Sequence, residues 1–193
     1  MNIGITGVKG AGKDTAAAFF VDHHSFRRMA YADVLKEAMV ALFDTPQSWI
    51  EKHKDNPDAR VQVIRRYDAE GYKDAVEYAS EMTLRTFIQR FGTEMGREVF
   101  GSDFWVLQFT QRMESNVNYV IPDVRFNNEA VNCNYIIEVV RDGFTNDPHA
   151  SEQGIREELI DFIVVNNGTI EELHKRLDAI MQEIMSSWQT TSR

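Results

Sequence analysis

The chain has 193 residues, 43% of them hydrophobic and 26% charged, enough for one core of ordinary size and expected to form one domain, 1–193. No run of about 18 apolar residues exists to cross a bilayer, and a net charge of -9 excludes broad attachment to a nucleic-acid backbone, which depends on Lys and Arg. The single cysteine, Cys133, excludes both an internal disulfide and a site of several thiolates.

Met1 leads straight into Ile3 and Ile5 without a basic flank or an apolar leader, so the expected location is the cytosol. NIGIT (2–6) is short, apolar and β-branched and predicts a strand, and DTAAAFFVDHH (14–24) has the Ala and Phe of a buried helix face. Between them Gly7, Gly12 and Lys13 satisfy the phosphate-loop pattern G-x-x-x-x-G-K, but Asp14 stands where the pattern wants a hydroxyl. Such a loop turns backbone N–H groups of Gly10, Ala11 and Gly12 toward phosphate oxygens, and the helix adds its positive end. Thr15 supplies the hydroxyl one position late. Asp14 is either a carboxylate complementing the helix start or a group that holds hydrated magnesium or orients the phosphates.

YADVLKEAMVALF (31–43) repeats apolar residues at three and four positions and predicts a helix that DTPQ ends. About 45–80 the chain turns polar and reads as a helical insertion, with Asn56, Pro57 and Asp58 as a helix start and Gly71 as a stop. TLRTFIQRF (83–91) is amphipathic and ends at a Gly92–Thr93 break. Its Arg85, Gln89 and Arg90 are solvated helix residues or a clamp for phosphate charge. Asp103 can cap the next helix, FWVLQFTQRM (104–113), where Trp105 offers a stacking surface; Asn116 and Asn118 close it.

YVIPDV (119–124) predicts an interior strand ended by Pro122, with Asp123 at its tip. Arg125 and Glu129, four apart, either pair along a helix or join Asp123 in handling magnesium and a second phosphate. His149, beside Pro148, reads as a surface residue. YIIEVV (135–140) and DFIVV (161–165) are further strands, and TIEELHKRLDAIMQEIM (169–185) is a long amphipathic helix opened by a Thr169–Glu172 capping box. The box leaves Asn166 and Asn167 unexplained; they can contact a base beyond the strand end. Strands alternating with helices imply an α/β fold with a mainly parallel central sheet between helical layers, and ligands bind beyond the carboxyl ends of such strands.

GVKGAGKDT, ADVLK, FGTE, DFWV, LQFT, YVIPDVRFNNE, NDPHASE and VVNNGTIEEL occur in this order, and with them the chain resembles the phage deoxynucleoside monophosphate kinases, relatives of the P-loop nucleoside monophosphate kinases. The resemblance implies a P-loop kinase three-layer sandwich with a helical lid insertion, in the host cytoplasm if phage-encoded. It implies transfer of the ATP γ-phosphate to a deoxynucleoside 5′-monophosphate, with magnesium. Lys13, Asp14 and Arg85 would then be catalytic, and Gly10, Ala11, Gly12, Lys13, Asp14, Thr15 and Asn167 would bind ATP. Lys36, Arg85, Trp105, Asp123, Arg125 and Glu129 would bind the acceptor, and Thr15 and Asp14 would serve Mg2+, partly through water. The expected partners are small nucleotides, not nucleic-acid polymers or membranes, and a homodimer is left open. A kinase of another phosphorylated metabolite and a non-catalytic ATP-binding switch are the alternatives.

Overall fold

The computed structural model describes residues 1–66, 77–143 and 154–191, and the chain divides into two compact units, 1–33 with 105–193, and 34–104. His149 and Gly71 lie outside the described residues.

The first unit is built on strands β1 (Asn2–Thr6), β2 (Arg27–Arg28), β5 (Tyr119–Ile121), β6 (Tyr135–Val140) and β7 (Phe162–Val165). They form one sheet in the order β2-β5-β1-β6-β7, every pair parallel. The mainly parallel α/β fold read from the sequence is the fold of the protein. Because side chains alternate along a strand, Ile3 and Ile5 share one face and Gly4 takes the other. Ile3 and Ile5 join the fully buried Ala16, Ala17 and Phe20 of α1 (Lys13–His24) and Leu177 and Ile184 of α7 (Ile170–Thr191) in one cluster. The spacing Leu173, Leu177, Met181, Ile184 is the apolar stripe of a helix lying on a sheet, and each large side chain so buried contributes about 1.5–3 kcal/mol.

On its other face Gly4 has no room. A Cβ there would stand 2.5 Å from Ile136 Cδ1, 2.8 Å from Cys133 Sγ and 2.9 Å from Val124 Cγ2. Gly7, with φ +132°, meets backbone: a Cβ would lie 2.3 Å from Val139 O. Helix α5 (Phe104–Thr110) ends in a loop that turns at Asn116 with φ 73°, and α6 is the short Asn127–Ala130.

The second unit takes α2 (Tyr31–Phe43) from Val34 onward, then α3 (Gln47–His53), β3 (Arg60–Arg66), β4 (Glu77–Thr83) and α4 (Leu84–Arg90). β3 and β4 pair antiparallel from Arg60 opposite Thr83 to Arg66 opposite Glu77. This corrects the reading of 45–80 as helical. Among the described residues of that stretch, helix is confined to α3. Asn56 Oδ1 accepts the Asp58 N–H at 2.9 Å, a turn made by the side chain two residues back, so Asn56–Asp58 leads into a strand rather than starting a helix. The expected break at Gly92–Thr93 is a π-helix, Phe91–Val99, running on from α4. Thr83 caps α4 by accepting the Thr86 N–H at 3.1 Å, and Phe43 meets Phe87 edge-on at 5.1 Å. Among the described residues no helix is long and apolar enough to cross a membrane.

Gly4→Ala should lower the stability of the native state by about 1–3 kcal/mol, because three well-placed side chains must move to admit one methyl group. Urea unfolding followed by circular dichroism reads this as an earlier midpoint with an unchanged slope.

Candidate active site

Parallel pairing fixes where the loops emerge. Gly4 stands opposite Ile121 and Thr6 opposite Glu138, so the chain leaves β1, β5 and β6 at the same edge of the sheet. β2 and β7 end there too, since Arg28 pairs with Val120 and Val165 with Val140. Gly7–Gly12, Pro122–Phe126, the start of α2 and Asn166–Gly168 therefore gather at one carboxyl edge.

The glycine loop turns through the Ala11 N–H to Val8 O bond of 3.2 Å, with positive φ at Gly7, Gly10 and Gly12. Lys13 Nζ folds over it and donates to Gly7 O at 2.7 Å and Val8 O at 2.9 Å. Gly12 is the N-cap of α1 and has no side chain to cap it, so the first-turn N–H groups face outward, as an anion site requires. Asp14 lies in that turn with its side chain 89% exposed, and Oδ1 is 3.9 Å from Arg28 Nη2. Thr15 is half-buried beside it. Arg28 in turn donates to Asp33 Oδ2 at 2.8 Å, and the same oxygen accepts the Ala30 N–H at 3.0 Å.

Asp123 stands at the tip of β5, as its position after Pro122 predicts, with both oxygens engaged. Oδ1 accepts the Tyr31 N–H at 3.0 Å and Oδ2 the Ala32 N–H at 2.7 Å, so this carboxylate caps the start of α2. Burial pushes the Asp123 carboxyl above its ordinary value, against the pull of the Ala32 N–H, of Arg125 and of the Tyr31 N–H; Asp33 adds to the rise. Glu129 does not lie four residues along a helix from Arg125, because α6 begins at Asn127. Its Oε2 accepts the backbone N–H groups of Arg125 at 2.8 Å and Phe126 at 3.1 Å, and the residue is only 3% exposed. It shapes the loop that presents Arg125. Trp105 is 7% exposed and belongs to the interior in this conformation.

The two asparagines after β7 divide their work. Asn166 Nδ2 donates to Ala11 O at 2.7 Å, reaching the glycine loop. Asn167 pairs with Asp142, accepting its N–H at 2.9 Å and donating to Oδ2 at 2.7 Å, and so ties the tips of β6 and β7. Neither the Arg28–Asp14 contact nor the Asn166–Ala11 bond follows from spacing, since each joins segments that meet only in the folded sheet. The arginine pair 27–28 and the surplus asparagines were the visible signals.

In the second unit Lys36 Nζ lies 2.5 Å from Glu51 Oε1, and Lys54 Nζ 2.7 Å from Glu51 Oε2. Burial raises the Glu51 carboxyl, but the hydrogen bonds from Lys36 and Lys54 outweigh it and the net direction is down. Arg85 Nη1 pairs with Asp55 Oδ1 at 2.8 Å. Among the described residues no group of three or more His, Cys, Asp or Glu could hold a metal ion.

A parallel sheet whose first strand feeds G-x-x-x-x-G-K into a helix defines an α/β protein of the P-loop class. The family model described as deoxynucleotide monophosphate kinase matches residues 48–177. A putative deoxynucleotide monophosphate kinase of Acanthamoeba polyphaga mimivirus is 31% identical over 91% of this chain and 93% of its own. The deoxynucleotide monophosphate kinases of Escherichia phage RB69 and Enterobacteria phage T4 are 22% and 24% identical, over 92% and 90% of this chain and 98% and 95% of theirs. The chain belongs to the deoxynucleotide monophosphate kinase family.

Cys133, half-buried before β6 with its sulfur against Gly4, has its thiol pushed up to about 12 by burial and by the charges of Glu129, Asp123 and Asp161. At pH 8 an aromatic disulfide reagent should therefore react with the native protein ~100-fold or more slowly than with the urea-unfolded chain, since only the thiolate attacks. Equal rates would contradict the half-buried placement.

Proposed function

We propose that the protein transfers the γ-phosphoryl group of ATP to a deoxynucleoside 5′-monophosphate. The observation that carries this reading is the pairing of β1 with β5, which sets the phosphate loop and the Asp123–Arg125 loop side by side at one edge. One phosphate site suits any nucleotide-binding protein; a second beside it suits a phosphoryl transfer between two phosphate-bearing ligands.

In the proposed reaction an oxygen of the acceptor 5′-phosphate attacks the γ-phosphorus, the bond from that phosphorus to the β–γ bridging oxygen breaks, and ADP leaves with the electron pair. Such transfers proceed through positioning and charge neutralisation more than through covalent chemistry. The N–H groups of Gly10 and Gly12 and the start of α1 hold the donor phosphates, while the Ala11 N–H, expected among them, is taken by Val8 O and holds the turn of the loop instead. Lys13 exchanges its two loop carbonyls for β- and γ-oxygens. Arg125 takes the acceptor phosphate, while Asp123 and Glu129 fix the backbone on which Arg125 stands. Lys36, Arg85, Trp105 and Asn167 enter on the family resemblance: the two cations for phosphate charge, Trp105 for the acceptor base and Asn167 for the donor.

Mg2+ suits this edge because it keeps much of its water and needs only one or two carboxylates alongside nucleotide phosphates. The exposed Asp14 and the Thr15 hydroxyl are such donors and would hold it partly through water. When bound, the ion neutralises charge on the β- and γ-oxygens. Asp14 is in our reading the catalytic carboxylate, with Arg28 Nη2 3.9 Å from its Oδ1.

A coupled ADP-release assay over the four deoxynucleoside monophosphates should show saturable stimulation by at least one; stimulation by none sinks the proposal. Asp14→Asn should lower turnover by ~10- to 100-fold, on the scale of a lost outer partner of a metal ion. Its unfolding free energy should stay within about 0.5 kcal/mol of wild type, as for other exposed substitutions. Unchanged turnover would reduce Asp14 to a charge at the helix start.

A further inference from the structure

The residues that touch the phosphate loop from outside it are not all accounted for by phosphate binding. Asn166 arrives from the far strand of the sheet, and its amide nitrogen lies 2.7 Å from Ala11 O. Of the two ends of a carboxamide, only the NH2 can face a carbonyl oxygen. Among the described residues no peptide bond is cis, so the Ala11 C=O and the Gly12 N–H, which belong to one planar trans peptide, point in opposite directions. Whatever holds the carbonyl aims the N–H.

We propose that Asn166 is a positioning residue for the donor triphosphate: by holding Ala11 O it turns the Gly12 N–H toward the phosphate side of the loop. The inference deepens the nucleotide-kinase reading and rests on it.

A second observation supports it. A Cβ on residue 12 would lie 2.3 Å from Asn166 Nδ2, so glycine at this position answers two demands, a φ of +105° and the close approach of the amide. Ala11 itself is fully buried, and its carbonyl has been given a dedicated partner rather than solvent.

Asn166 is in turn held on rigid backbone. Its N–H donates to Val140 O at 2.7 Å, and the next residue ties the β6 and β7 tips through the two bonds between Asn167 and Asp142. Three residues on, Thr169 and Glu172 close a capping box, with Glu172 Oε2 accepting the Thr169 N–H at 3.1 Å and Thr169 Oγ1 accepting the Glu172 N–H at 3.2 Å. Lys13 fixes the opening of the loop through Gly7 O and Val8 O, and Asn166 fixes its exit.

The test compares wild type, Asn166→Ala and Asn166→Asp. The aspartate keeps the shape of the side chain and removes the donor. Steady-state assays give KM for ATP and for the accepted deoxynucleoside monophosphate, calorimetry gives the affinity for inorganic tripolyphosphate, and thermal unfolding checks the fold. KM for ATP and the tripolyphosphate dissociation constant should both rise about tenfold in Asn166→Ala, the scale of one lost hydrogen bond with its partner left buried, and further in Asn166→Asp. KM for the monophosphate should stay within about twofold. Asn166→Asp with wild-type ATP and tripolyphosphate binding overturns the proposal, as do equal rises in both KM values or a wild type that does not bind tripolyphosphate. A wild type that binds tripolyphosphate yet phosphorylates no monophosphate defeats the kinase reading instead, and the tripolyphosphate arm still decides the role of Asn166.

Discussion

Everything at the candidate site depends on the parallel pairing of β1 with β5 on one side and β6 on the other. Parallel strands release their loops at a common edge, and a central strand flanked on both sides has the least freedom to shift. Gly4 lets Val124, Cys133 and Ile136 close on that strand from one face, while Ile3 and Ile5 anchor it to α1 and α7 from the other. The glycine loop that follows is thus held by a strand buried from Ile3 to Thr6, which suits a site whose donors must stand still.

The acidic residues near this edge do different jobs, and burial sorts them. Asp123, Asp33 and Glu129 all accept backbone N–H groups, from Tyr31 and Ala32, from Ala30, and from Arg125 and Phe126. Carboxylates taken out of water need such donors. They bind the start of α2 and the loop after β5 into fixed shapes. Asp14 is the contrast: it sits in the first turn of α1, almost fully in solvent, with a guanidinium 3.9 Å away. Of the four it is the one whose charge is open to a ligand.

Local chemistry was legible and long-range pairing was not. Tyr31–Phe43 shows its helix in the three- and four-residue spacing of its apolar positions, and NIGIT shows its strand in consecutive β-branched residues before a glycine, so both emerge at the expected places. The β3–β4 pair was missed because a strand of mixed polarity is stabilised by its partner, and Arg60 finds Thr83 across more than twenty residues of chain. Asn56 misled for a related reason, since the same side chain that caps helices also makes the turn into β3. At the site, the loop and the Asp123 strand tip were readable from motif and position. Which group each carboxylate and asparagine bonds was not, because Asp123 meets Tyr31, and Asn166 meets Ala11, only after the sheet has assembled.

Lys13 adds a selectivity that follows from where its ammonium rests. With Gly7 O and Val8 O as acceptors, the charge is already partly compensated by two oriented dipoles. An incoming anion gains only the difference between its own oxygens and those carbonyls. A lone carboxylate or a single monoanionic group improves little on them, whereas a chain of linked phosphates brings several charges to one ammonium. On the proposed kinase reading, the resting place of Lys13 thus favours linked phosphates over single anionic groups by charge density.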